Sequence, residues 1–147
     1  MKNLYDEAPR VVLAHPNATM PTRAHHHDAG WDLYAIEEQE VRPGHVARVR
    51  TGINIDVPIG QVGDIRPRSG MASRGITVAN APGTIDPGYR GEIIVLLINH
   101  GYDRLHIEPG DRIAQIVFTY TNTQPIVQVD ALADSARGAN GFGSTGN

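Results

Sequence analysis

The 3.6-residue period of a helix is almost missing along the chain, and the apolar residues fall in short runs that alternate with turn residues. The runs VVLA (11–14), WDLYAI (31–36), HVARVRTGINIDV (45–57), QVGDIR (61–66), GITVA (75–79), EIIVLLIN (92–99), RLHIEPGDRIAQIVF (104–118) and PIVQV (125–129) are short and rich in valine and isoleucine. Turn residues such as RPG, VPIG, DPG and EPGD separate many of them. Short strands at such spacing predict an all-β sandwich or barrel. The stretch 91–99 is apolar on both alternating faces, which predicts a central or interface strand. One helical turn is expected near SGMASRG. VRPGHVARV and IEPGDRIAQI share a strand–PG–strand form, which is hairpin grammar rather than a repeat. Beyond Val129 the pattern fades, so the expected division is a β domain over 1–130 and a flexible C-terminal arm over 131–147.

Composition narrows the functional classes. A chain of 147 residues suggests one domain, able to bury roughly 70% of its unfolded surface. The 16 glycines and 10 prolines fall between the apolar runs, so they read as turns. Cysteine is absent, which excludes disulfide and thiolate chemistry. The N-terminal KNLYDEAPR has no apolar signal region and no run is long enough for a bilayer, so a cytoplasmic protein without membrane contact is expected. A net charge of −3 without a basic stripe argues against nucleic acid, and an anionic ligand would need a local group of arginines.

Five stretches carry candidate chemistry. PRSGMASRG (67–75) sets Arg68, Ser69 and Gly70 just after a strand; arginine, a hydroxyl and exposed backbone N–H groups suit an anion, and an ordinary Ser-Gly turn is the plainer reading. In NAPGTIDPGYRGE (80–92), Pro87 and Gly88 suit the centre of a type II turn flanked by Asp86 and Tyr89. An aspartate there can serve as general base and a tyrosine can stack on a ring or sugar; a solvated hairpin tip is the alternative. Gln115 lies among apolar neighbours in GDRIAQIVF, and Asp32 between Trp31 and Leu33 needs a structural hydrogen bond or a metal-bound water to justify it. RGANGFGSTG (137–146) is glycine-rich but lacks the lysine and the following helix of a P-loop. His25, His26 and His27 match no metal-ligand spacing and read as a surface loop without a role.

In order, DAGWDLYA, PRSGMASRG, GTIDPGYRGE, GDRIAQIVF and RGANGFGSTG resemble the five motifs of the homotrimeric dUTPases, over residues 28 to 146, about four-fifths of the chain. The resemblance implies a distorted jelly-roll β-barrel, a homotrimer with sites shared between subunits, and hydrolysis of dUTP to dUMP and pyrophosphate with Mg2+. It implies Asp86 as the base that activates water for attack on the α-phosphorus. It implies Asn80, Gly83, Thr84, Ile85, Tyr89, Gly91 and Phe142 around the base and sugar. Arg68, Ser69, Gly70, Gln115, Arg137, Gly143, Ser144 and Thr145 are the implied phosphate ligands, and Asp32 the residue that reaches the metal through water. The arm is expected to close over a neighbouring subunit's site. A dCTP deaminase shares the fold but would need a catalytic glutamate and a different second motif. A binding module without turnover is disfavoured by the presence of Asp86, Tyr89 and the full arm, although the sequence leaves open a second role in binding a regulatory protein.

Overall fold

The computed structural model describes residues 7–141. Its elements run in the order β1 (Arg10–Leu13), β2 (Gly30–Tyr34), β3 (Gln39–Val41), β4 (Val46–Asp56), β5 (Gln61–Arg66), α1 (Ser69–Ala72), β6 (Ile76–Val78), β7 (Gly83–Ile85), β8 (Glu92–Asn99), β9 (Leu105–Ile107) and β10 (Arg112–Tyr120). Two four-stranded antiparallel sheets, β1-β4-β8-β6 and β2-β10-β5-β7, enclose the core, and β3 pairs with β9 beside them. The all-β expectation is met, and α1 is the single helical turn foreseen at SGMASRG.

The period-two pattern explains the two layers. Along β8, Ile93, Val95 and Leu97 point into the core, while Ile94, Leu96 and Ile98 lie on the opposite, part-exposed face. Val49, Ile53 and Ile55 join them from β4, and Leu33, Ile65 and Ile116 close the core from the other sheet. Fully burying one such side chain contributes about 1.5–3 kcal/mol. β8 is central, between β4 and β6, as its apolar composition predicts.

Four turns use the same device. In each, a glycine at positive φ follows a residue suited to the preceding position: Gly44 (74°), Gly60 (85°), Gly88 (91°) and Gly110 (90°). Each is closed by a backbone hydrogen bond, to the carbonyls of Arg42, Pro58, Asp86 and Glu108 respectively. The glycine takes a left-handed conformation that a side chain would strain.

Two expectations need correction. The strand expected over 125–129 is absent: this segment lies in no strand, and Ile126, Val127 and Val129 are exposed. Its apolar run pairs with no strand among the described residues. The short strands β3 and β7 were not foreseen, because three residues are too few to display a period. No helix among the described residues is long and apolar enough to cross a membrane.

Candidate active site

β7 and the turn after it form one wall of a hollow of about 300 Å³, lined by Arg48, Asn80, Thr84, Ile85, Asp86, Tyr89, Glu92, Ile94 and Leu96. The polypeptide makes this wall from the Pro87–Gly88 turn, in which Tyr89 N–H donates to the Asp86 carbonyl (3.2 Å). The Asp86 carboxylate is exposed and engages no hydrogen bond or ion pair among the described residues.

Two glycines let side chains sit on the backbone. A Cβ at Gly91 would fall 2.4 Å from the Tyr89 hydroxyl oxygen, so the ring lies directly over this residue. The Tyr89 hydroxyl donates to the Glu92 carbonyl (3.0 Å). A Cβ at Gly83 would lie 3.3 Å from the Asn80 amide nitrogen, so Asn80 lies close over β7.

Glu92 was not among the expected site residues. Its carboxylate accepts from Arg50 Nε (3.1 and 3.2 Å) and from the Gly52 N–H (2.9 Å). Burial works to raise its pKa, but these hydrogen bonds outweigh it and hold Glu92 below the usual carboxylate range. The carboxylate thereby fastens the irregular stretch of β4 between Arg50 and Asn54 to the start of β8.

A second group forms on the outward face of the β2-β10-β5 sheet. Gln115 stands directly opposite Asp32 on one side and Arg66 on the other, so the three share a face. Here a carboxylate between Trp31 and Leu33 finds its reason. Asp32 accepts from Arg68 Nε (2.8 Å) and Arg112 Nη1 (3.4 Å), both of which also approach as ion pairs. Gln115 Nε2 donates to the Pro67 carbonyl (2.9 Å), and Arg68 Nη1 donates to the Arg112 carbonyl (3.3 Å). These bonds fix the start of α1, where Ser69 and Gly70 are exposed. Arg112 escaped the sequence reading because its partner lies eighty residues away.

Arg137 is exposed and donates through Nε to the Asn140 carbonyl within the arm (3.0 Å). Phe142, Gly143, Ser144 and Thr145 lie outside the described residues. The structure thus brings Asn80, Thr84, Ile85, Asp86 and Tyr89 together at the hollow, with Gly83 and Gly91 beneath Asn80 and Tyr89, and Asp32, Arg68 and Gln115 at the polar face. None of these last three lines the hollow. His25, His26 and His27 lie in an exposed loop.

A family model described as dUTPase matches residues 16–146. The chain belongs to the dUTPase family. It is 48% identical over 140 residues to the deoxyuridine 5'-triphosphate nucleotidohydrolase of Solibacter usitatus, covering 93% of this chain and 95% of that one. It is 52% identical over 133 residues to the protein of the same name from Thermobifida fusca, covering 89% and 74%. Among solved structures it resembles the dUTPase of Staphylococcus bacteriophage 80alpha with dUpNHpp, at TM-score 0.89 and 30% identity over 95% of this chain and 99% of that one. A mutant dUTPase of Staphylococcus aureus phage phi11, described with a structural Mg(II) ion, matches at TM-score 0.80 and 26% identity over 87% and 100%. Membership in the dUTPase family agrees with the jelly-roll expectation and disfavours the deaminase reading.

One prediction belongs to this geometry. A Cβ at Gly30 would fall 1.9 Å from Gln115 Oε1, so Gly30→Ala must displace the Gln115 side chain from Pro67. The expected result is a folded protein whose KM for the family's nucleotide rises about tenfold, measured by steady-state kinetics beside a thermal melt. Unchanged kinetics would remove Gln115 from the site.

Proposed function

We propose that this chain is a dUTP diphosphatase, releasing dUMP and pyrophosphate and so keeping dUTP from DNA synthesis while supplying dUMP. The observation that carries the reading is the hollow beside β7, with an Asp86 carboxylate at its rim that has no partner among the described residues, and Tyr89 laid over Gly91. The edge of β7 that faces away from β5 offers backbone N–H and C=O groups in alternation, which suits the donor–acceptor edge of uracil and leaves cytosine's reversed edge unpaired. Tyr89 packs under the deoxyribose and leaves no room for a 2'-hydroxyl. Water bound near Asp86 gives its proton to the carboxylate as its oxygen attacks the α-phosphorus. The bond from that phosphorus to the α–β bridging oxygen breaks, and its electron pair leaves with pyrophosphate.

Arg68, Ser69, Gly70 and Gln115 hold the phosphates, joined by Arg137, Gly143, Ser144 and Thr145 of the arm. Among the described residues no group of three or more His, Cys, Asp and Glu side chains could cage a metal. Mg2+ would therefore take its oxygens from the triphosphate and water, as this ion commonly does, with Asp32 accepting from a metal-bound water. When bound, Mg2+ neutralises triphosphate charge. Three chains sharing sites are supported by apolar surface that one chain leaves open: Val12 and Leu13 on β1, and Ile126, Val127, Val129 and Leu132 in the arm region. The reading places the enzyme in the cytoplasm with its nucleotide substrate.

Pyrophosphate release from dUTP, UTP, dCTP and dTTP in Mg2+ tests the assignment. Turnover confined to dUTP is expected; ammonia release from dCTP would overturn it. Tyr89→Ala is expected to lower the dUTP preference over UTP by about tenfold or more. An unchanged ratio would end the sugar-gate role.

A further inference from the structure

Two residues of β4, outside the five motif stretches, reach the turn that carries Tyr89. Asn54 and Asp56 both lie on the outward face of the strand, alternating with buried Ile53 and Ile55. Asn54 Nδ2 donates to the Arg90 carbonyl. Asp56 pairs with Arg90 Nη2 at 2.9 Å, and Arg90 Nη1 donates back to the Tyr89 carbonyl at 3.0 Å. On its other side Asp56 pairs with the exposed Arg10 of β1. Consecutive backbone carbonyls are thus held: that of Arg90 by Asn54 of β4, and that of Tyr89 by the Arg90 guanidinium, which Asp56 of β4 anchors.

The Asn54 amide gains this contact at a cost. Its Oδ1 is buried without a hydrogen-bond partner among the described residues. Turning the amide over would set that oxygen against the Arg90 carbonyl, so the donor must face the turn. A buried unpaired acceptor disfavours asparagine on stability grounds alone, and such atoms in native proteins call for an explanation.

We propose that Asn54 and Arg90, with Asp56 as the anchor of Arg90, are positioning residues for Tyr89 that set the height of its ring against the sugar, and thereby the discrimination between deoxyribose and ribose. This rests on the dUTP diphosphatase reading. The Tyr89 hydroxyl is tethered to Glu92 and its ring is laid on Gly91, so the remaining freedom of the residue is in its backbone, which Asn54 and Arg90 fix. A displacement of a fraction of an ångström there opens space for one more oxygen atom.

The test is kcat/KM for dUTP and UTP, with a thermal melt, on the full chain. Asn54→Ala and Arg90→Ala are each expected to lower the dUTP/UTP ratio about tenfold, mainly through faster use of UTP, while the protein stays folded. Arg90→Lys, which keeps a cation for Asp56, should recover part of the ratio. Arg10→Ala breaks the other half of the Asp56 pairing without touching the turn and should leave the ratio unchanged. If either alanine variant at 54 or 90 keeps the parental ratio, or if Arg10→Ala lowers it equally, the proposal is overturned. Should Asn54→Ala fail to fold, Asn54→Asp, of the same size and without the amide donor, carries the test. If the parent protein does not hydrolyse dUTP, the functional assignment falls instead. Calorimetric affinities for the non-hydrolysable imido analogues of dUTP and UTP then read the same ratio independently.

Discussion

Asp86→Asn is expected to bind a non-hydrolysable dUTP analogue as the parent does and to release pyrophosphate about a thousandfold more slowly. The side chain is exposed and holds no partner among the described residues, so the amide replaces it without loss of packing. The turn itself is closed by the Asp86 backbone carbonyl, which the substitution leaves in place. What disappears is the ability to take a proton from water, and a positioned general base contributes roughly 10²–10⁴-fold. Quenched-flow or coupled pyrophosphate assays, paired with calorimetric binding, separate the two effects. Turnover within a few-fold of the parent would remove Asp86 as the base.

Removing residues 137–147 is expected to cut kcat/KM by about 100-fold while leaving the thermal melt and the assembly mass unchanged. The described part of the arm explains the second half of this expectation. Residues 122–141 are exposed, and the hydrogen bonds of Arg137 and Gly138 stay within the arm, to Asn140 and Ser135. Among the described residues no core side chain is lost with it. The first half rests on the proposed role of the arm in holding phosphates: a donor aimed at developing phosphate charge is worth about tenfold or more once water is excluded. Light scattering with steady-state kinetics reads both quantities. Full activity in the truncated protein would show that the arm has no part in closure.

Much of this was legible in the chain because local chemistry decided it. Pro87 and Gly88 dictate their turn through fixed φ and a free left-handed conformation, whatever surrounds them. The unbroken apolar run Ile93–Ile98 declares an interior strand by composition alone, while which of its two faces is buried comes only from the fold. Other features depend on tertiary partners and leave no local trace. Nothing in RIAQIVF announces that Arg112 would meet Asp32 across the sheet, or that Gln115 would reach the Pro67 carbonyl. Glu92 looked like the first residue of a strand and proved to bind the backbone of Gly52 forty residues earlier. The apolar run at 125–129 is real, but such a run reports a preference for strand and not whether a partner is present to pair with it.

The pairing of one carboxylate with two guanidiniums at Asp32 has a kinetic consequence. Arg68 and Arg112 outweigh Asp32 by one positive charge, on a chain whose formal net charge is −3. On the proposed reading, a triphosphate approaching this group from a distance meets a weakly repelling protein, and attraction sets in only within about 8 Å at physiological ionic strength. Capture therefore relies on proximity rather than long-range steering, and association rates should vary little with added salt compared with those of enzymes wrapped in a cationic field.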